Sequence, residues 1–390
     1  MWLTNSLVSY GAALDAADAA ALGTDGAAAI AGYLASRGAS ASTPLHALPG
    51  LAAELGLAEL RIKDEGFRLG LGSFKALGGA YAATRLALEA AAARLGRNVS
   101  YGELRAPEVA ALTSGLTFVC ATDGNHGRSV AEGARYVGAR CVIYIHAGVS
   151  AERAVAIASF GAEVVRISGD YDASVAEAAR AAQAHDWLLV SDTSTPGYER
   201  IPLMVMQGYT AILAESLAEM AEPPTHIFIQ AGVGGVAAAL AAHAALRLGA
   251  RRPRVVVVEP ARAACVLASA QAGSLVAIPP GEPTVMAMLE CREPSLVAWR
   301  VLSRVADAFM TVEEDEAVAV MNRLARPSRG DPAIIAGESG GVGLAGLMQA
   351  AQDPELKRAL GLDAGSHAWL VNTEGATDPG RYRELTGESP

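Results

Sequence analysis

Only three of the 31 basic residues in this 390-residue chain are lysines: Lys63, Lys75 and Lys357. Lys75 sits in Gly70-Leu71-Gly72-Ser73-Phe74-Lys75-Ala76-Leu77-Gly78-Gly79, a glycine-flanked stretch with no other charge. A guanidinium serves wherever a permanent positive charge is enough, but only an amine can lose its proton and attack a carbonyl carbon. Lys75 is therefore the candidate for Schiff-base chemistry.

Two further turns have residue types suited to holding anions. Thr122-Asp123-Gly124-Asn125-His126-Gly127 follows an apolar run and opens a helix. Its glycines admit close backbone approach, and helix-start N–H groups attract a carboxylate. An ordinary helix cap by Asp123 or Asn125 is the plain alternative. Ala231-Gly232-Val233-Gly234-Gly235-Val236-Ala237 follows His226–Gln230 and reads as a phosphate cradle built from successive backbone N–H groups. It also satisfies the dinucleotide pattern GxGxxA, with Glu259 ending a later strand. A nicotinamide-dependent dehydrogenase is thus a competing reading. Such an enzyme has no use for a unique turn lysine or for the Asp-Gly-Asn-His-Gly loop. Pyridoxal 5'-phosphate chemistry uses all three: lysine for the aldehyde, the asparagine loop for substrate carboxylate and ring oxygen, the glycine loop for phosphate.

The elements that must position these residues are legible from residue 116 onward. Short apolar runs at Leu116–Ala121, Arg140–Ile145, Glu163–Ile167 and Trp187–Ser191 read as strands. Helices are expected over Gly127–Val137, Glu152–Phe160 and Ala173–Ala184 between them. A further unit comprises His226–Gln230, the helix Ala237–Leu248 and the strand Val255–Glu259, and Ala368–Val371 is a late strand. Alternating strands and helices predict an α/β fold with a parallel sheet covered on both faces, its ligand beyond the carboxyl ends of the strands. The polar stretches at 192–202 and 222–225 divide the chain into an inserted small domain, 85–206, and a large cofactor-binding domain from 1–84 and 207–390.

Composition narrows the function classes. The chain is 52% hydrophobic with a net charge of −10 and no basic stripe, which argues against nucleic acid as a partner. No run of about 18 uncharged apolar residues reads as a membrane span. The alanine-rich start carries Asp15, Asp18 and Asp25, unlike a signal peptide, so a cytoplasmic protein without a membrane is expected. Cys120, Cys141, Cys265 and Cys291 form no CxxC pair and read as buried free thiols. The seven histidines lack HxxxH spacing, so no metal site is expected.

Taken together, these motifs resemble the fold-type II (tryptophan synthase β-like) pyridoxal phosphate enzymes, and among them the diaminopropionate ammonia-lyase family. The likeness rests on Ser73–Gly79, Ala121–Gly127, Asp192-Thr193 with Gly197-Tyr198-Glu199, Ile201-Pro202, Met206–Tyr209, Val258–Pro260, Gly337–Gly341 and Asn372–Gly375. It covers residues 40–380. The aspartate of the asparagine loop is its most specific mark, since dehydratases and cysteine synthases of this fold carry serine or threonine there.

The resemblance implies a two-lobed parallel-sheet enzyme, a homodimer acting on a small amino acid. Lys75 would hold the cofactor and, desolvated near a cation, act as a neutral base on the α-proton. Asp123 would attract the β-ammonium and serve the D-isomer on the opposite face, with Asp192 as a second negative charge. Phe74 would pack beside the ring, Asn125 would bond the phenolic oxygen and Thr373 the ring nitrogen. Gly232, Val233, Gly234 and Gly235 would hold the phosphate; Thr122, Gly124 and His126 would line the substrate. The expected reaction is elimination from 2,3-diaminopropionate to a keto acid and ammonia. A serine/threonine-type dehydratase or a β-replacement synthase on the same fold is the alternative. The chain departs from the family at Thr193-Ser194-Thr195-Pro196 and at Met288–Pro294, two segments placed at the substrate entrance, where Arg292 would face an acidic substrate or solvent.

Overall fold

The computed structural model describes every residue except Asp123, Ser328 and Arg329. Eleven strands lie among the described residues: β1 (Trp2–Thr4), β2 (Leu45–Ala47), β3 (Glu59–Asp64), β4 (Thr117–Ala121), β5 (Arg140–Ile145), β6 (Glu163–Arg166), β7 (Leu188–Leu189), β8 (His226–Gln230), β9 (Arg254–Pro260), β10 (Ala308–Val312) and β11 (His367–Asn372). They form a seven-stranded sheet in the order β1-β10-β9-β8-β11-β3-β2 and a four-stranded sheet in the order β6-β5-β4-β7. The small sheet is wholly parallel. The large sheet is parallel inside, with β1 and β2 pairing antiparallel at its edges.

Helices cover both faces, so central strands are apolar without alternation. Val255, Val256, Val257 and Val258 of β9 are all buried, as is every residue of β8 and β10. The expected strands and helices from residue 116 onward are all present, with ends shifted by a few residues. The strand β3 went unread because Glu59, Arg61 and Lys63 interrupt its apolar run. Lys63 is nonetheless fully buried. The strands of the small sheet all lie within the inserted segment 85–206. Both of that segment's boundaries fall inside helices, Lys75–Leu95 and Arg200–Glu219, which pack on one another.

That packing is close for a steric reason. A Cβ on Gly208 would stand 2.4 Å from Leu77 O, and one on Gly78 would stand 2.6 Å from the Tyr209 ring. Glycine on both helices lets their backbones touch, just beyond Lys75. The helix Arg200–Glu219 has the length and hydropathy of a membrane span, but 61% of its most apolar window is buried inside the protein. Its apolar character comes from this packing.

Candidate active site

Lys75 is the first residue of its helix, and the segment before it is stitched to the turn that ends β11. Phe74 N donates to Thr373 O at 2.9 Å and Gly375 N donates to Gly72 O at 3.0 Å. Upstream, a buried charge network anchors the same segment to the Arg200–Glu219 helix. Arg68 bridges Glu65 at 2.8 Å and Glu215 at 2.7 Å, and Lys63 meets Glu215 at 2.9 Å.

The Lys75 amine ion-pairs with Asp192, which lies just after β7. The two side chains are 22% and 14% exposed. Burial alone would lower the amine's affinity for its proton, but the Asp192 carboxylate and the neighbouring Tyr209 outweigh it and raise Lys75 above the ordinary lysine range. Burial would likewise raise Asp192, yet the Lys75 ammonium, and then His126, hold it well below the usual carboxylate range. The desolvation expected at Lys75 is therefore present but does not set its charge; Asp192 does.

His126 completes this group. Its Nε2 donates to Val190 O at 2.8 Å, because a carbonyl can only accept. Nδ1 consequently carries the lone pair, has no hydrogen-bond partner among the described residues, and lies 3.9 Å from Asp192. Burial is the main reason His126 is pushed below its ordinary value, with the Asp192 carboxylate opposing it.

A closed ring of contacts joins the remaining candidates. Thr373, beside Phe74, accepts from Gln230 Nε2 at 2.9 Å. Glu374, the next residue, accepts from Asn125 Nδ2 at 2.6 Å. His126 leads from Asn125 back to Asp192, and a Cβ on Gly235 would come 4.0 Å from Asp192 O. Phe74 lies edge-on to Tyr209 with ring centroids 4.8 Å apart. Asp123 lies outside the described residues.

Thr122 Oγ1 accepts from Gly124 N at 3.0 Å and Gly127 N at 3.1 Å, and the expected cap by Asn125 is not formed. The helix begins at Asn125 rather than Gly127, and the Asn125 amide turns across the cleft to Glu374. Thr122 shapes the loop and takes Gly127 N, while the helix-start N–H groups of Asn125 and His126 have no intrahelical acceptor and suit an anion.

In the glycine loop Gly234 has φ 91°, a left-handed conformation that favours glycine. The helix Gly235–Leu248 starts directly after it. A Cβ on Gly232 would stand 2.9 Å from Cys291 Sγ, so the segment 288–291 lies against this cradle. Val233 O accepts from Ser295 N at 2.9 Å. The dinucleotide reading fails at Glu259. Both carboxylate oxygens are taken by Val266 N and Leu267 N, at 2.8 and 2.7 Å, at the start of the helix Cys265–Ala272. That glutamate caps a helix and is fully buried, out of reach of a ribose.

The two departing segments are structural in part. Ser194 is buried and its Oγ accepts from Val297 N at 2.8 Å, at the start of the helix Leu296–Val305. Arg292 is half-buried, pairs with Glu290 at 2.9 Å and donates to Arg262 O at 3.1 Å. Cys120, Cys141 and Cys265 are buried free thiols, whereas Cys291 is half-buried beside the cradle.

Gln230, Tyr209 and Glu374 were given no role from sequence, yet each has a buried polar atom without a partner here: Gln230 Oε1, Tyr209 Oη and Glu374 Oε1. A glutamine ending a fully apolar strand directly before the glycine loop was the one available signal. These atoms, an amine, a helix-start cradle and a hydroxyl at Thr373 fit pyridoxal phosphate in every chemical requirement: carbonyl, ring oxygen, ring nitrogen and phosphate.

Comparison with known proteins points to the same cofactor. The family model described as pyridoxal-phosphate dependent enzyme matches residues 18–361. The chain is 37% identical over 355 residues to a diaminopropionate ammonia-lyase of Salmonella typhimurium, covering 88% of each. It is also 37% identical to the Escherichia coli enzyme of that name over 89% of this chain and 87% of the other. The solved structure of holo diaminopropionate ammonia lyase from Escherichia coli superposes with a TM-score of 0.88 at 32% identity, covering 99% of this chain and 96% of that one. Another structure of that enzyme, in complex with an aminoacrylate-PLP azomethine reaction intermediate, superposes with a TM-score of 0.87.

Proposed function

The chain belongs to the pyridoxal-phosphate dependent enzymes and, among them, to the diaminopropionate ammonia-lyase family; from that premise we propose that it converts 2,3-diaminopropionate and water to pyruvate and two molecules of ammonia by α,β-elimination. The observation that carries this reading is Lys75 paired with Asp192 inside a ring of side chains that ends on the Gly232–Gly235 cradle.

When bound, pyridoxal phosphate supplies the electron sink that accepts the pair from the breaking Cα–H bond. Lys75 is the attachment point and the base that takes the α-proton. To act as a base its ammonium must first give up a proton, and Asp192 is the adjacent acceptor. That transfer is uphill while Lys75 and Asp192 face only each other. A second positive charge entering beside Lys75, such as the substrate's own ammonium, lowers the amine's proton affinity and reverses the balance. His126 Nδ1, an unused acceptor near Asp192, is placed to receive a hydrogen from the substrate amine. Asp123 attracts the β-ammonium and takes the α-proton of the D-isomer. The Asn125 amide and Thr373 hydroxyl orient the ring, and the Gly232–Gly235 N–H groups with the helix start hold the phosphate. The lobes part near residues 84 and 206, with the site between them. Cytoplasmic location and a homodimer complete the proposal; the buried free thiols Cys120, Cys141 and Cys265 support a reducing compartment.

A visible absorption spectrum of the purified protein, before and after 2,3-diaminopropionate, with keto-acid detection, tests this. Pyruvate formed faster from diaminopropionate than from serine supports it. The reverse order would move the enzyme to the dehydratases, and a protein that takes up no pyridoxal phosphate would refute it.

A further inference from the structure

Asn125 and Glu374, 249 residues apart, meet across the cleft between the small-sheet segment and the large sheet. The Asn125 amide donates to Glu374 Oε2 at 2.6 Å, and Thr377 Oγ1 approaches the same oxygen at 3.5 Å. Glu374 is 2% exposed, and its other oxygen has no hydrogen-bond partner among the described residues. The backbone holding this carboxyl is clamped on two sides. Gly337 N donates to Glu374 O at 3.0 Å, and Glu374 forms an isolated bridge with Ser73, two residues before Lys75. A Cβ on Gly340 would stand 2.3 Å from Glu374 O, so the loop 337–341 presses directly on it.

We infer that Glu374 is a positioning residue that orients the Asn125 amide, aiming its second hydrogen at the phenolic oxygen of the cofactor. This rests on the reading that the chain holds pyridoxal phosphate. An asparagine amide that is free to flip presents oxygen as easily as nitrogen. A carboxylate on one side accepts only, so it selects the Nδ2 face and forbids the flip. Neither the elimination itself nor the Lys75–Asp192 pair requires this glutamate.

The charge of that carboxyl is open to change near neutrality. Burial is the main reason Glu374 is raised to about 7; the nearby Glu338 carboxyl adds to it, while the Asn125 bond and Arg153 oppose it. The charged groups facing it are Glu338 on the 337–341 loop, Arg153 on the helix Ala151–Ala158 and Arg128 on the helix Asn125–Tyr136. Above about pH 7 the carboxylate holds the amide in one orientation. Below it, the protonated acid can donate to the amide oxygen, and the selection is lost.

The experiment is a pH titration, from 5.5 to 8.5, of the visible absorption of the holoenzyme, with the pyridoxal phosphate dissociation constant measured at each end. The wild type, E374Q and E374A are compared, and each variant is repeated with N125A. The wild type is expected to show a spectral transition near pH 7 and tighter cofactor binding above it. E374Q keeps an acceptor for the amide but has no proton to exchange, so it keeps tight binding and loses the transition. E374A weakens cofactor binding about tenfold at pH 8, and this effect vanishes in the N125A background. A transition unchanged in E374Q would overturn the inference. So would an E374A penalty that persists at full size with N125A. A wild type that binds no cofactor would instead refute the functional reading beneath it.

Discussion

Lys63 and Lys75 are only 12 residues apart, both are enclosed by protein, and both pair with a carboxylate. Lys63 is completely buried, and its ammonium donates to Ser42 Oγ at 2.6 Å and Thr43 O at 2.7 Å and meets Glu215 at 2.9 Å. Its three hydrogens have three partners. Lys75 is partly exposed and has one described hydrogen-bond partner, Asp192, among atoms that include the unsatisfied His126 Nδ1 and Tyr209 Oη. A buried charge with every donor used belongs to the scaffold, because any exchange of partner would cost desolvation without return. A buried charge with unused donors and unsatisfied neighbours is arranged for a partner that comes and goes. Pairing with a carboxylate does not separate the two lysines; completeness of hydrogen bonding does.

The comparison breaks most sharply at Lys75. K75A is expected to abolish turnover and the visible absorbance of the bound cofactor; an active, coloured K75A protein would remove the mechanism. D192N comes next, with a fall of about 10²–10⁴-fold in kcat/KM as the proton acceptor is lost. An unchanged rate would show that Asp192 only sets the charge of the ammonium. K63M should leave the absorbance in place while lowering stability by about 3 kcal/mol in denaturant unfolding. That is the low end for breaking a buried pair, because Arg68 still meets Glu215. Lost cofactor binding at unchanged stability would erase the distinction between the lysines.

The smallest effect concerns pH, at the helix-capping Glu259. Burial raises this carboxyl to about 8, against its two backbone hydrogen bonds. The folded state therefore binds this proton more tightly than the unfolded chain does. Stability should fall as pH rises from the ordinary glutamate range towards 8. E259Q removes that slope while the slope contributed elsewhere persists. Identical pH–stability curves would show that Glu259 does not titrate in this window.

Much of the fold was legible because its signals are local. The apolar runs of β4, β5 and β8, each closed by a glycine or asparagine turn, announce strands and the sheet ends where ligands bind. The lysine segment and the glycine loop were recognised for the same reason: their residue types are unusual for their position. What escaped was decided by neighbours distant in the chain. The strand β3 hides behind charges, and the partner of its buried Lys63, Glu215, lies on the Arg200–Glu219 helix. Glu259 satisfied a nucleotide pattern until its oxygens were found on the next helix. Glu374 and Gln230 resemble ordinary turn and strand-end residues until Asn125 and Thr373 are placed against them.

The amino-acid order alone determined which groups were available: one reactive amine in a glycine-flanked turn, an anion-holding loop, a phosphate cradle, and alternating elements to deliver them. It could not determine their charge states or their partners. Desolvation and Coulomb attraction act over a few ångströms and take no account of distance along the chain. Lys75 and Asp192, separated by 117 residues, acquire their shifted protonation only when the two sheets bring them into contact.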